Sequence, residues 1–312
     1  MSSSAGQNVE ISIIIPAYES HGTARATLES LRAQTFHNFE TILIDSGRTD
    51  GVARIAGDFP EVHYRRSEKQ LLPHEARNVG IKLARADLIV FTDPDVVAAP
   101  DWLEKLTAAY RRRAGPLAGA VAGLEKDWLG SGIHLAKFDL WLPGGERATV
   151  PVAASVNFLC PVELLKRVGG FDGREMIGDT VLSWDLSELG QTLYFVPNAV
   201  VYHDHRSSLV ELLRERYVRG GDFGRLRAER ENWKFGRTLA ILFASIVPLR
   251  LLKLTARTFR SAWKSRCTFD CLRTLPVIAA GHAAWLLGES TQYWRRLQRG
   301  RTQYEAKRAC GW

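Results

Sequence analysis

Two aspartates separated by one residue follow a hydrophobic segment and are the first candidates for chemistry. The segment Leu88–Asp95 reads LIVFTDPD, so Asp93 and Asp95 come directly after a predicted strand. In open α/β sheets, ligands bind at the carboxyl ends of the parallel strands. Two neighbouring carboxylates stay ionised most readily beside a cation, and oxygen ligands suit Mg²⁺ or Mn²⁺. The pattern indicates a divalent metal site that grips a diphosphate, and an Asp-Pro-Asp turn capping the strand is the alternative.

The elements around this segment alternate between strand and helix patterns. That alternation predicts an α/β fold with a mostly parallel sheet flanked by helices. Strands are predicted at Val9–Pro16, Phe39–Asp45, Val62–Arg65, Leu88–Thr92, Gly119–Gly123, Thr149–Ser155 and Thr192–Pro197. Helices are predicted at Thr23–Gln34, Asp50–Ala56, His74–Ala84, Asp101–Arg113, Pro161–Val168 and Thr180–Leu189.

Short motifs follow the predicted strands in a fixed order. They are Pro16-Ala17-Tyr18-Glu19, IDSGRTDG over Ile44–Gly51, ARNVG over Ala76–Gly80, the pair Asp93 and Asp95, and VGGFD over Val168–Asp172. In this order they resemble the motifs of family 2 glycosyltransferases, over roughly residues 10–205. The resemblance implies the Rossmann-like GT-A fold and a metal-dependent, hexosyltransferase-type enzyme that uses a nucleoside-diphosphate sugar and a hydroxyl acceptor. Arg48 stands where the family usually has serine.

The resemblance also implies roles for single residues on the donor side. Pro16, Ala17, Tyr18 and Glu19 would lie beside the nucleotide, with Tyr18 offering an aromatic face. Asp45 would accept hydrogen bonds from the base or ribose, and Arg77 would reach the ribose or phosphates. Asp93 would contact the ribose or the metal through water, and Asp95 would ligate the metal.

Inverting transfer needs one carboxylate that takes the proton of the acceptor hydroxyl. The family places it in a Glu-Asp pair that opens a helix, and here Asp179 matches the catalytic aspartate while Gly178 replaces the glutamate. Asp185 stands where the family usually has arginine. The alternative for Asp179 is a purely structural N-cap of the helix predicted at Thr180–Leu189.

His203-Asp204-His205 follows a Val-Val-Tyr strand end. The family often has two histidines at this spacing, and the resemblance implies that His203 completes the metal shell. An imidazole ligand shifts the preference from Mg²⁺ toward Mn²⁺. A polar strand end without a ligand role is the alternative.

The charge of the chain is divided unevenly. Residues 1–205 carry 20 Lys and Arg against 26 Asp and Glu, whereas residues 206–312 carry 22 against 8. We therefore predict a catalytic domain over residues 9–207 and a basic helical region over residues 208–312 that seeks an anionic surface.

This C-terminal region has the pattern of a membrane-surface extension. A charged helix is predicted over Ser208–Glu231 with an interruption at Gly220-Gly221. Two uncharged runs, Thr238–Leu249 and Thr274–Gly288, fall short of the ~20 apolar residues of a spanning helix. Between them, Arg250–Lys264 has cations at steps of three and four and an apolar stripe beside them, which is typical of a helix lying on an anionic membrane. A soluble helical subdomain is the alternative.

Composition bounds the location of the protein. The four cysteines, Cys160, Cys267, Cys271 and Cys310, lack the spacing of a zinc site and indicate ordinary thiols in a reducing compartment. The first ten residues lack the basic and apolar regions of a secretory signal. Together with the predicted membrane-surface helix, these features predict a cytoplasmic protein held peripherally at the inner face of the plasma membrane.

The segment Trp285–Glu289 ends in Gly-Glu. Similar endings occur in enzymes of cell-surface polysaccharide synthesis, and this resemblance implies a lipid-linked acceptor.

Other function classes are tested by their motifs. The glycine pattern of dinucleotide-binding folds does not follow the first strand, and the P-loop pattern is missing from the sequence. A non-catalytic sugar-nucleotide-binding protein stays open because of Gly178 and Arg48. A nucleic-acid binder that uses the basic region stays open too, although we expect no nucleic-acid partner because uncharged runs interrupt that region.

Overall fold

Residues 9–124, 127–145, 148–173, 176–205, 208–246 and 248–309 are described by a computed structural model of the 312-residue chain. The chain divides into two units. The first comprises residues 1–124 and 140–204, and the second comprises residues 125–139 and 205–312. The sequence analysis did not predict that residues 125–139 belong with the C-terminal part. The predicted division at residue 207 falls beside residues 206 and 207, which lie outside the described residues, as does Cys310.

An eight-stranded sheet with the order β3-β2-β1-β4-β7-β6-β8-β5 forms the centre of the first unit. Its strands are β1 Ile11–Ala17, β2 Phe39–Asp45, β3 Val62–Arg66, β4 Leu88–Phe91, β5 Val96–Ala98, β6 Leu117–Gly123, β7 Phe158–Pro161 and β8 Tyr194–His203. Helices in this unit are α1 Ala24–Arg32, α2 Gly51–Gly57, α3 Pro73–Leu83, α4 Trp102–Arg112, α6 Val162–Val168 and α7 Gly178–Glu188. The α/β fold predicted from the sequence is confirmed.

Strand β1 determines where a ligand can lie. All seven of its residues are buried, as expected of a β-branched strand covered on both faces of a parallel sheet. It pairs in parallel with β2 on one side and with β4 on the other, although β4 follows β3 in the chain. The chain therefore reverses its direction of travel across the sheet at β1, and ligands of open α/β sheets bind in the crevice at such a point.

The other half of the sheet is less regular than predicted. Strand β7 pairs antiparallel with both β4 and β6, and β5 pairs antiparallel with β8, so the sheet is mixed. Neither β5 nor β7 was predicted, because strands of three or four residues are too short to show a period.

The strand predicted at Thr149–Ser155 is wrong. Thr149 makes a single antiparallel bridge to Tyr194, and Ser155–Asn157 forms a 3₁₀ turn. The buried Asn157 explains the turn, since its amide donates to the carbonyl oxygens of Ala120 and Ala199 at 2.8 and 3.0 Å. Because the Asn157 side chain satisfies backbone carbonyl groups of neighbouring strands, a further strand is not needed to pair with them here.

Six helices lie in the described part of the second unit. They are α5 Trp128–Phe138, α8 Leu209–Arg230, α9 Phe235–Ile246, α10 Pro248–Lys264, α11 Thr268–Arg273 and α12 Leu275–Ala309. The interruption predicted at Gly220-Gly221 is wrong, because α8 runs through both glycines. A Cβ at Gly220 would lie 2.2 Å from the carbonyl oxygen of Trp285, and one at Gly288 would lie 2.0 Å from that of Tyr217. These glycines allow the backbones of α8 and α12 to approach closely.

Helix α10 carries the predicted basic pattern, but two of its cations point inward. Arg257 forms a two-bond ion pair with the buried Asp139 at 2.8 and 3.0 Å. Arg250 pairs with the buried Glu289 of α12 at 2.9 Å. These two ion pairs therefore neutralise part of the positive charge that we predicted to face a membrane surface.

No helix among the described residues is by itself long and apolar enough to cross a membrane. One bent pair, Phe235–Ser245 with Pro248–Lys264, meets the length and composition of a span, with an angle of 67° between its halves. The uncharged run Thr274–Gly288 lies almost entirely in α12, where Val277 and Ile278 are buried in the helical unit. Packing inside the unit therefore accounts for the apolar side of that run.

Candidate functional site

Three side chains with metal-ligand chemistry meet at the carboxyl edge of the sheet. One ligand atom from each of Asp93, Asp95 and His203 lies within 4.8 Å of the others. Asp93 and Asp95 occupy the loop between β4 and β5, and the antiparallel pairing of β5 with β8 sets Val96 opposite His203. The Nε2 atom of His203 is consequently 3.7 Å from Oδ1 of Asp95. The sequence predicted these three residues separately, and the structure brings them together.

The hydrogen bond of His203 prepares its ring for a metal. Its Nδ1 lies 3.1 Å from the carbonyl oxygen of Asp204. A carbonyl oxygen can only accept, so Nδ1 is the donor of this bond, and Nε2 is the ring nitrogen that faces Asp95. Metal-bound histidines are commonly oriented by such a bond from their other ring nitrogen. Two carboxylates and one imidazole therefore fit a divalent cation such as Mg²⁺ or Mn²⁺.

Arg77 joins helix α3 to this cluster. Its guanidinium is buried, with 2% of the residue exposed, and its Nη2 donates to Oδ1 of Asp93. Its Nη1 lies 3.2 Å from Nδ1 of His74, and its Nε has no hydrogen-bond partner although it is buried. A fixed planar guanidinium with an unused donor is suited to recognising ribose or phosphate oxygens beside the metal.

The rest of the ARNVG motif holds the site together. The side-chain amide of Asn78 donates to the carbonyl oxygen of Phe171 at 2.8 Å, and its Oδ1 accepts from the backbone N–H of Phe171 at 2.9 Å. Gly80 faces β1, where a Cβ would lie 2.4 Å from Cγ2 of Ile14. One short motif thus fastens the VGGFD segment to α3 and packs α3 against the central strand.

At the end of β1, Pro16 and Ala17 are buried in the strand, whereas Tyr18 is 40% exposed. Glu19 adopts a left-handed conformation with φ of 50°. Its carboxylate accepts from the backbone N–H of Arg48 at 2.7 Å and from the hydroxyl of Thr49 at 3.0 Å. The N–H of Arg48 is the main cause that lowers the pKa of Glu19. Glu19 therefore orders the IDSGRTDG loop, and its predicted contact with the nucleotide stays a prediction.

Asp45 is fully buried at the end of β2. Its Oδ1 accepts from the backbone N–H of Gly47 and its Oδ2 from the hydroxyl of Tyr64, both at 2.8 Å. Desolvation and this bond raise the pKa of Tyr64 to about 12. Both carboxylate oxygens accept hydrogen bonds from the protein itself in this structure, so contact of Asp45 with a base or ribose stays a prediction.

Beside this turn lies a cleft of about 550 Å³ between the ends of β2 and β3. Its lining includes Arg48, Arg66 and Lys69, which the sequence interpretation did not single out as ligands. The sequence could have indicated them, because Arg66 ends β3 while Arg48 and Lys69 follow the carboxyl ends of β2 and β3, and both strands run parallel to β1.

The candidate base, Asp179, lies in the first turn of α7 and is 8% exposed. Its Oδ1 accepts from the backbone N–H of Thr180 at 2.8 Å. The helix begins at Gly178 and its N-cap is Ile177, so the alternative that Asp179 is the N-cap is wrong. The preceding Gly178 packs on His74, a residue that the sequence interpretation missed. His74 stacks on Phe171 with ring centroids 5.0 Å apart and contacts Arg77, which links the start of α7 to the Asp93 ion pair.

The sequence model of glycosyl transferase family 2 matches residues 12–141, which include Asp45, Arg77, Asp93 and Asp95. The predicted resemblance to this family is thereby confirmed for these residues, while the roles of the single site residues stay predictions.

Curated proteins similar to this chain include glycosyltransferases. It is 27% identical over 228 residues to the pre-mycofactocin glycosyltransferase of Mycobacterium tuberculosis, which covers 68% of this chain and 46% of that protein. It is 23% identical over 218 residues to glycosyltransferase AglE of Haloferax volcanii, covering 66% and 70% of the two chains. The chain spans about half the length of the first of these relatives.

Solved structures share the fold of this chain. Residues 1–349 of Staphylococcus aureus TarS, in complex with UDP-GlcNAc, superpose with a TM-score of 0.53 at 16% identity over 92% of both chains. The Pyrobaculum calidifontis mannosyltransferase PcManGT, in complex with GDP-Man and Mn²⁺, gives 0.53 at 17% identity over 86% of both chains. These likenesses confirm the GT-A architecture of the chain.

Proposed function

We propose that this chain transfers a sugar from a nucleoside-diphosphate sugar to a hydroxyl acceptor with inversion at the anomeric carbon, and that a divalent cation is required. The observation that carries the proposal is the meeting of Asp93, Asp95 and His203 at the carboxyl edge of a family 2 fold. The donors named with the structural neighbours, UDP-GlcNAc and GDP-Man, support a sugar nucleotide as the donor class.

The protein side chains bind and orient the donor in this proposal. Asp95 and Nε2 of His203 would hold the cation, and Arg77 keeps one oxygen of Asp93 fixed beside them. The bound cation would neutralise the charge that develops on the departing diphosphate. Arg48 and Lys69 of the cleft supply further positive charge along the sheet edge, whereas Arg66 is paired with Asp50.

Asp179 would act as the base. The acceptor oxygen forms a bond to the anomeric carbon while the bond from that carbon to the diphosphate oxygen breaks. The nucleoside diphosphate leaves with the electron pair, and the hydroxyl proton passes to the carboxylate of Asp179.

The change Asp179→Asn tests the role of the base. We expect it to reduce transfer about 10²–10⁴-fold while the affinity for the nucleoside diphosphate stays within a factor of about two. Glu188→Gln on the same helix is the matched control, and it should leave both quantities unchanged. Full turnover by Asp179→Asn would exclude the assignment, and the anomeric configuration of the product, read by NMR, tests inversion.

We further propose that the chain acts on a membrane-presented, lipid-linked acceptor at the inner face of the plasma membrane, in cell-surface glycan or glycolipid synthesis. Support comes from the outward face of α10. At about 100° per residue, Leu249, Leu252 and Trp263 share one side of the helix and are 62–70% exposed. The exposed cations Lys253, Arg260 and Lys264 form the adjacent stripe. An apolar stripe beside cations fits an anionic bilayer surface.

A further inference from the structure

A concave site outside the catalytic unit lies among helices α8, α9 and α12. It has a volume of about 350 Å³ and is lined by four arginines, Arg225, Arg295, Arg296 and Arg299, with Glu229 as the one lining carboxylate. Clefts lined by one sign of charge focus the electrostatic field and raise the local concentration of counter-ions.

Three of these arginines are not neutralised by neighbours. Arg225 forms ion pairs with Asp222 and Glu229 of its own helix at 3.8 and 3.4 Å. For Arg295, Arg296 and Arg299, no ion pair is formed with any side chain of the described part of the chain. Arg295 and Arg299 are separated by four residues on α12, where like charges repel and destabilise a helix. A bound anion would remove that repulsion.

The floor of the cleft is rigid. The rings of Trp233 and Tyr293 are 3% and 0% exposed and lie 5.5 Å apart. Tyr293 donates to the buried Glu289 at 3.1 Å, which fixes its ring. Arg296 donates to the backbone carbonyl oxygen of Trp233 at 2.9 Å, so its guanidinium is held in place before any ligand arrives. Preorganised donors lose little conformational entropy on binding.

We propose that this cleft binds a phosphate-bearing anion through Arg295, Arg296 and Arg299. The planar fork of arginine matches phosphate oxygens, and three such groups suit a diphosphate better than a single carboxylate. Phe235, at the rim, is 61% exposed and offers an apolar contact to a chain attached to the anion. The ligand is thus either a free polyphosphate or the headgroup of a phosphorylated lipid. The inference does not depend on the proposed transfer reaction.

Calorimetric titration of the full chain with pyrophosphate and with farnesyl diphosphate, in EDTA so that metal-assisted binding at the catalytic unit is suppressed, tests the site. The double variant Arg295→Gln/Arg299→Gln should weaken binding of both probes at least about tenfold, because each lost bond to a charged group is worth roughly that factor. Arg295→Lys/Arg299→Lys, which keeps the charge and removes the fork, should give a smaller loss.

The matched control is Lys82→Gln/Arg167→Gln, which removes the same charge from exposed positions of α3 and α6. It should change both affinities less than about twofold, and all variants should keep the circular dichroism of the parent. Tighter binding of farnesyl diphosphate than of pyrophosphate would identify a lipid headgroup, whereas equal binding would identify a free anion. No binding by the parent chain, or equal losses in the double variant and the control, would overturn the proposal.

Discussion

Gly178 lies so close to His74 that a Cβ at position 178 would stand 2.6 Å from Cδ2 of the imidazole, and 2.8 Å from the carbonyl oxygen of Asp172. The glutamate usual in the family at this position has no space here. His74 fills that space, stacks on Phe171 and contacts Arg77. The departure from the family motif is therefore a repacked junction beside the candidate base.

We predict that Gly178→Glu impairs the enzyme even though it restores the family motif. The backbone oxygen of Asp172 cannot move as a side chain can, so the substitution should destabilise the fold by about 1–3 kcal/mol and lower turnover. Thermal unfolding and nucleoside-diphosphate release measure both effects. Gly57→Ala is the control, since nothing lies within 4 Å of a Cβ at the end of α2. Higher turnover in Gly178→Glu would contradict the packing argument.

The Arg77–Asp93 pair gives a second prediction. Arg77→Met should destabilise the protein by about 2–3 kcal/mol, because it leaves a partly buried carboxylate without its partner. It should also raise the KM for the donor. The exposed pair of Arg32 and Glu61 is the comparison, and Arg32→Met should cost less than about 1 kcal/mol. Equal losses in the two variants, by urea unfolding, would show that the Arg77 pair has no special role.

The sequence was informative where the fold is repetitive. The β-branched runs of β1, β2 and β4 and the motifs at their carboxyl ends predicted the parallel half of the sheet, with Asp93 and Asp95 at its edge. These features repeat with the period of a strand or follow it directly. Short strands such as β5 and β7 carry no such period, and they are determined by pairing with strands far along the chain.

The side-chain partners that the sequence could not predict are determined by packing between residues far apart in the chain. The sequence could not show that the two carboxylate oxygens of Asp45 accept hydrogen bonds from Gly47 and Tyr64, because Tyr64 lies on the neighbouring strand. Nor could it show that Arg250 and Arg257 turn inward to buried carboxylates, because a helical period shows a face but not its partner. Gly220 has the sequence pattern of a helix interruption, but its small size instead allows the backbone of α12 to pack closely against α8.

Acid should weaken the helical unit through His282. This residue is fully buried, its Nε2 contacts Thr258 at 3.0 Å, and its Nδ1 has no hydrogen-bond partner. Desolvation, and then the positive charge of Arg216, lower the pKa of His282 from 6.5 to about 4, although Asp139 opposes the shift.

A depressed folded-state pKa gives stability that is present above pH 6.5 and lost as the pH falls through 4. We expect a loss of about 3 kcal/mol over that window, measured by urea unfolding at several pH values. His282→Gln should flatten the pH dependence, whereas the exposed His37→Gln should not. An unchanged slope in His282→Gln would show that other groups cause it.

Membrane contact predicts a charge effect on α10. Changing Lys253, Arg260 and Lys264 to glutamate should weaken binding to phosphatidylglycerol vesicles more than about 100-fold, since each cation near the surface contributes about 1 kcal/mol. Vesicle co-sedimentation measures this, and Lys82, Lys166 and Arg167 changed to glutamate in the other unit form the control. Equal binding by the two triple variants would remove α10 as the contact surface, and preferential binding to DNA would favour a nucleic-acid partner instead.

The most direct test of the account is the dependence of donor turnover on a divalent cation and on Asp95. Release of nucleoside diphosphate is measured for the full chain with UDP-GlcNAc and GDP-Man, in EDTA and across a Mn²⁺ titration, for the parent and Asp95→Asn. We predict turnover of at least one donor by the parent that requires Mn²⁺, with a loss of about 10²-fold or more in Asp95→Asn, because that change removes a charged ligand of the cation. Equal turnover in EDTA, or a Mn²⁺ dependence that Asp95→Asn leaves unaltered, would contradict it.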